Sequence, residues 1–155
     1  MKKTFSTKID HDVLKKHKIY NAGERQFDLE IYFYLNSPDG WSQDGYYFEQ
    51  STNPDIEIRL CSPETIQKEC GLGKNLSCAV LSGHNIYLNS DRWFYGAPKS
   101  KLSLEDYRQY MVSHEMGHIL GKEHVSCPSP GHKAPIMLQQ TLGIGKCIPN
   151  TNVKE

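Results

Sequence analysis

His114, His118 and His124, with Glu115 and Gly121 between them, spell the pattern H-E-x-x-H-x-x-G-x-x-H. Histidines four residues apart on a helix lie one above the other on one face, so two imidazoles can reach one metal ion. Glu115 follows the first ligand directly, where it can touch a water on the metal without ligating the metal itself. Gly121 suits a left-handed C-cap that ends the helix and turns the chain sharply. That turn brings His124 round as a third ligand. Three protein ligands leave the fourth tetrahedral position open, as in catalytic zinc sites, whereas structural sites are closed by four. With seven His, ten Glu and twelve Gly in 155 residues, a chance match to the whole pattern is on the order of one in ten thousand. Histidines that merely decorate a solvated helix are a poor account of it.

The chemistry expected of such a site is hydrolysis supported by one Zn2+ ion, which lowers the pKa of a bound water from about 15.7 towards 7. Glu115 is the expected general base, taking the proton of the water and returning it to the leaving group. Two other readings use the same residues. In one, zinc only secures a module that binds a peptide or partner; in the other, the site is an amidase acting on a small or cell-wall substrate.

At these residues the chain resembles the metzincin metallopeptidases, which share this long zinc motif and a later Met-turn beneath the metal. Ala134-Pro135-Ile136-Met137, thirteen residues past His124, is the Met-turn candidate. Within the clan the chain is similar to a family of predicted bacterial secreted metzincins, through Ser37-Pro38-Asp39-Gly40-Trp41, Asn89-Ser90-Asp91-Arg92-Trp93, the zinc motif, and residues 125–128 through 139–141. It departs from the clan at Gln139, where many metzincins carry a Tyr two residues after the Met. The role of that Tyr is not carried over, and the stabiliser of the oxyanion is left unassigned.

The resemblance implies an α+β, metzincin-like (zincin) catalytic domain: a small twisted mixed sheet, an active-site helix and an irregular C-terminal Met-turn segment. It implies that Met137 packs under the metal without ligating it. It also implies that Cys78, Ala79, Val80 and Leu81 form the sheet edge above the cleft. There an extended peptide or protein substrate can add as a strand to unpaired backbone groups. The implied activity is that of a zinc endopeptidase.

The elements that must position these groups are legible in part. Ser103 reads as the N-cap of the helix that carries the motif, with Asp106 three residues on, and Leu104, Tyr107, Tyr110, Met111, His114 and His118 step along one face. A helix of about 18 residues is expected there. Residues 4–9 alternate as a strand, within an N-terminal strand and arm over 1–20. Residues 45–50 and 55–61 read as strands, and 77–81 with 85–88 as a hairpin around Ser82-Gly83-His84. Ser62-Pro63 opens a short helix towards Cys70. Residues 24–36 are ambiguous: Phe27, Leu29, Ile31, Phe33 and Leu35 alternate like a strand, whereas the resemblance implies a helix. Residues 91–98 read as an irregular aromatic loop, 127–135 as a proline-rich loop and 149–155 as a frayed tail. His11 and His17 read as solvated, His84 as a turn residue and His132 as a loop histidine.

A length of 155 residues fits one domain. Eighteen Lys and Arg balance eighteen Asp and Glu, so no basic field points to nucleic acid or a membrane surface. No apolar run approaches the ~18 residues of a membrane span. A monomer is expected. Residues 1–8 are basic without an apolar stretch behind them, which is not a secretory signal. The cysteines pull the other way: Cys70 with Cys78, and Cys127 with Cys147, bracket short loops that local disulfides could close, leaving Cys61 over. Such pairs suit export or an oxidising compartment, in keeping with the resemblance; five reduced cysteines in the cytoplasm is the alternative.

Overall fold

The computed structural model of the chain describes residues 1–71 and 73–154. Its centre is a five-stranded mixed sheet in the order β2-β1-β3-β5-β4, with β1 Lys2–Ile9, β2 Tyr47–Gln50, β3 Ile56–Cys61, β4 Cys78–Val80 and β5 Asn85–Asn89. β2, β1, β3 and β5 run parallel, while β4 lies antiparallel to β5 at the edge. Alternation fixes the register. Ile56, Ile58 and Leu60 of β3 are buried, while Glu57 is exposed and Arg59 half-buried. Arg59 grips Asp10 through two hydrogen bonds of 3.0 and 2.7 Å and lies 5.2 Å from the Tyr87 ring. The bidentate geometry pins the start of α1 to the polar face of the sheet.

Five α-helices form among the described residues: α1 His11–His17, α2 Asn21–Leu35, α3 Pro63–Cys70, α4 Ser90–Tyr95 and α5 Leu104–Ile119. The main core lies where Phe27, Ile31 and Leu35 of α2 and Tyr107, Met111 and Val112 of α5 meet Phe5, Phe48, Ile58, Leu60 and Ile86 of the sheet. The resulting architecture is α+β. None of the helices is long and apolar enough to cross a membrane.

The structure resolves the ambiguous stretch as helix, α2 ending at Leu35 with Asn36 as its C-cap. Phe27, Ile31 and Leu35 are the i, i+4, i+8 stripe that enters the core, and the strand-like alternation came from Leu29 and Phe33, which are 51% and 66% exposed. Two expectations are corrected. Residues 91–98 are not an irregular loop: Asn89 caps α4 by accepting from the backbone N–H groups of Asp91 and Arg92 at 2.9 and 3.4 Å, and a 3-10 turn follows at Pro98–Ser100. Nor is the tail over 149–154 frayed. The Val153 N–H donates to Asp39 O at 2.9 Å, the Asn150 amide donates to Ala134 O at 3.0 Å, and Lys154 pairs with Asp44. Backbone groups tied this way resist fraying; Glu155 lies outside the described residues. His17 is also not a solvated histidine, since it stacks on Phe94 with ring centres 4.0 Å apart.

Candidate metal centre

α5 is built to deliver its last turns to the cleft. Ser103 accepts from the Asp106 N–H at 3.2 Å, and Glu105 and Asp106 complement the positive end of the helix. The helix stops after Ile119 in a Schellman motif: the Lys122 N–H donates to Gly117 O at 2.8 Å and the Gly121 N–H to His118 O at 3.0 Å. Gly121 has φ +92°. This is the left-handed conformation that a side chain would strain, and it is where the sequence placed the turn.

The turn brings three imidazoles together. His124 Nε2 lies 3.3 Å from His114 Nε2 and 3.0 Å from His118 Nε2, and one ligand atom from each residue falls within 4.8 Å of the others. Two nitrogens bound tetrahedrally to one zinc would stand about 3.3 Å apart, given Zn–N bonds near 2.05 Å. The proton positions follow from the neighbours. His114 Nδ1 is 2.8 Å from Ile136 O, and His118 Nδ1 is 2.9 Å from Lys122 O. A carbonyl only accepts, so each Nδ1 carries the hydrogen and each Nε2 turns a lone pair inward. The two inward lone pairs and His124 Nε2, all within 4.8 Å of one another, make a set of donors that one cation can share. The donor set therefore fits a metal ion, and the two carbonyls are the orienting acceptors such ligands need. Burial, chiefly, holds His114 down to about 3, and burial followed by the His118 charge lowers His124. Both rings are thus neutral near pH 7, the form that binds metal.

Glu115 stands beside them, only 6% exposed, in a cleft of about 240 Å³. Burial raises its carboxyl to about 8. A divalent cation at the three imidazoles would oppose that rise by favouring the charged form. The cleft is bounded on one side by the open edge of the sheet, where Cys78, Ala79 and Leu81 line it. The side chain of Val80 packs with the Cys61, Ile66 and Tyr87 cluster on the other face, as does that of Cys78, which strand alternation places on the same side as Val80. Both expected disulfides are formed, Cys70–Cys78 and Cys127–Cys147, and Cys61 is a buried thiol. Burial, first, pushes that thiol up to about 12.

Met137 is buried below the ligand helix, and its contact is with a residue that the motif leaves unspecified. A Cβ at Gly117 would stand 2.5 Å from Met137 Sδ and 2.9 Å from Trp41 Cζ2. Only a glycine lets the Met and the Trp reach the helix between its two ligand turns. Trp41 also donates from Nε1 to Ser113 O at 2.8 Å. The turn itself is held by Leu138 N–H to Pro135 O at 3.0 Å and by Val125 N–H to Met137 O at 3.1 Å, which ties the irregular stretch after His124 to it. The Tyr110 hydroxyl donates to Leu138 O at 3.2 Å and accepts from the Gln140 N–H at 3.0 Å. Of these supports the sequence signalled only Met137, with Trp41 as part of a matching segment. His84 and His132 lie outside the cluster of three.

No curated protein matches the chain. A family described as "Protein of unknown function (DUF3152)" matches residues 2–151, and because that match spans nearly the whole chain, the protein belongs to this family.

Proposed function

We propose that the protein is a zinc-dependent peptidase with a metzincin-like site. The carrying observation is the convergence of three Nε2 atoms, those of His114 and His118 with their lone pairs turned inward, beside a buried carboxyl in a cleft walled by an open strand edge. The left-handed Gly121 and the Met137–Gly117 contact support the metzincin-like reading. His114, His118 and His124 would hold the ion. Zinc bound there supplies Lewis acidity, lowering the pKa of water and polarising a carbonyl.

The residues of the chain do the rest. Among the described residues β4 pairs with β5 on one side alone, so its other edge offers backbone donors and acceptors to an extended peptide. Ile136 O and Lys122 O keep the first two rings in their ligating tautomer. Glu115 takes one proton from the attacking water and delivers it to the amide nitrogen as the C–N bond breaks, so that water is consumed and an acid and an amine are released. General-base assistance of this type is worth about a hundredfold to ten-thousandfold.

The test is cleavage of a diverse peptide library by the zinc-loaded protein, with chelated protein and Glu115→Ala in parallel. Cleavage that needs both zinc and Glu115, with one zinc per chain still bound by Glu115→Ala, is the expected result. Normal turnover by Glu115→Ala would sink the assignment, and zinc binding without any cleavage would favour a binding module.

A further inference from the structure

The carbonyl that orients His114 lies in a turn whose acceptors are all engaged. From Ala134 to Leu138 five consecutive carbonyls each receive a hydrogen bond. Ala134 O accepts from the Asn150 amide, and Pro135 O from the Leu138 N–H and the Gln140 amide. Ile136 O faces His114 Nδ1, Met137 O accepts from the Val125 N–H, and Leu138 O from the Tyr110 hydroxyl and the Gln140 N–H. Ile136 O is the member that meets a metal-ligand candidate. The bonds on either side of it set where it stands.

On the side before Ile136 those bonds involve two side chains, and the two residues also hold each other. Asn150 Nδ2 donates to Ala134 O at 3.0 Å, and Gln140 Nε2 donates to Pro135 O at 3.3 Å and to Asn150 O at 3.1 Å. The neighbours fix the orientation of the Asn150 amide: Nδ2 also faces Asn152 O at 2.8 Å, while Oδ1 accepts from the Asn152 N–H at 3.1 Å. Ala134 and Gln140 are fully buried, so a bond lost there leaves an acceptor with no water to replace it. The same stretch is anchored a second time. Asn152 Nδ2 donates to Asp39 Oδ1 at 3.3 Å, its Oδ1 accepts from Gln43 Nε2 at 2.9 Å, and the Val153 N–H donates to Asp39 O at 2.9 Å. Asp39 and Gln43 flank Trp41, whose indole donates to Ser113 O beside His114. Residues 150–153 thus join the turn that orients His114 to the turn that grips its helix.

We propose that Asn150 is a positioning residue of the metal centre. Through Ala134 and Gln140 it holds Ile136 O against His114 Nδ1, and so keeps the His114 Nε2 lone pair turned towards His118 and His124. The inference rests on the metal-binding part of the reading above and adds a residue outside the histidine motif. Among the described residues no hydrogen bond joins Asn150 to any of the three imidazoles, so its effect is carried by the turn. When Ile136 O shifts, nothing holds the His114 proton on Nδ1. The tautomer protonated on Nε2 then becomes populated, and it has no lone pair there to give. Loss of an orienting partner of this kind weakens metal binding by about tenfold to a hundredfold.

The experiment compares the wild-type chain with Asn150→Asp and Asn150→Ala. The first keeps the size and the acceptor for the Asn152 N–H but has no hydrogen for Ala134 O; the second removes the group without adding charge. Zinc affinity is read by competition with a chelator. The His114 tautomer is read in the metal-free protein near pH 7 by long-range proton–nitrogen NMR, which separates a protonated Nδ1 from a protonated Nε2. Zinc binding at least roughly tenfold weaker is expected in both variants, with the His114 proton on Nδ1 in the wild type and divided between the two nitrogens in the variants. Thermal midpoints report folding, and where one variant unfolds the other carries the test. Weaker zinc binding with the proton still wholly on Nδ1 overturns the assignment, because general loosening gives that result. A divided proton with unchanged zinc affinity also overturns it. No change in either overturns it and leaves the metal centre standing. If the wild type takes up no zinc, the metal-centre reading falls, and the tautomer comparison alone decides for or against the orienting role of Asn150.

Discussion

Glu115 and His114 are neighbours in sequence and share one burial, yet that burial acts on them with opposite sign. It raises the carboxyl from 4.5 to about 8 and lowers the imidazole from 6.5 to about 3. For the carboxyl, the folded chain holds a proton that the unfolded chain has released. Its contribution is complete below about pH 4.5 and is lost as pH rises towards 8. For the imidazole, the unfolded chain takes up a proton first, so its contribution is complete above about 6.5 and is lost as pH falls towards 3. Glu115→Gln removes only the first of these. In chelated protein, thermal midpoints should therefore fall between about pH 5 and 8 in the wild type relative to Glu115→Gln, and parallel profiles would contradict the buried-carboxyl assignment. The cluster of three histidines was legible because its spacing is local. Gly117 was not, since its partners Trp41 and Met137 approach from distant parts of the chain. Gly117→Ala should cost about 1–3 kcal/mol through overpacking and weaken zinc binding by shifting Met137 or Trp41. Urea unfolding and zinc competition with a chelator read the two effects separately.

Elements were legible where one face is wet and one dry. β3 and α5 announced themselves by period, and Ser62 and Ser103 by their caps. α2 could not be read by pattern, because exposed Leu29 and Phe33 imitate a strand, and α4 was missed because its cap is an asparagine with a second occupation. Asn89 is fully buried. Its side-chain oxygen caps α4, while its amide donates to Lys74 O at 2.7 Å and Leu76 O at 3.2 Å and its backbone N–H donates to Ser77 Oγ at 2.9 Å. One side chain thus fastens the stretch that enters β4 and carries Leu76 and Ser77 of the cleft wall. Asn89→Asp keeps the cap and loses the two amide donors. It should lower stability by about 1–3 kcal/mol and raise the KM for peptides while zinc binding is unchanged. Zinc loss in that variant would show that the loop supports the ligands as well.

At the scale of the molecule the centre stands between two covalent ties. Cys70–Cys78 joins the end of α3 to the edge strand, and Cys127–Cys147 joins the segment just past His124 to the chain beyond the Met-turn. These bonds suit an oxidising environment. The second spans 20 residues of sequence and by chain entropy contributes about 3 kcal/mol. The paired variant Cys127→Ser/Cys147→Ser should bind zinc at least about tenfold more weakly, because the loop holding His124 gains freedom worth a fraction of that energy. Cys70→Ser/Cys78→Ser should hold zinc normally and lose affinity for peptides. Chelator competition and peptide titration distinguish the two pairs, and equal zinc loss in both would refute this division of labour.

The order of the ligands along the chain has a temporal side. The sheet is complete at Asn89 and the first two imidazoles at His118, whereas His124, the Met-turn and Cys147 follow in the last part of the sequence. During synthesis, the N-terminal portions emerge and fold first. A nascent chain therefore possesses its sheet and a two-histidine helix before the third ligand has been made. The three-histidine cluster is complete only when the final loop has closed.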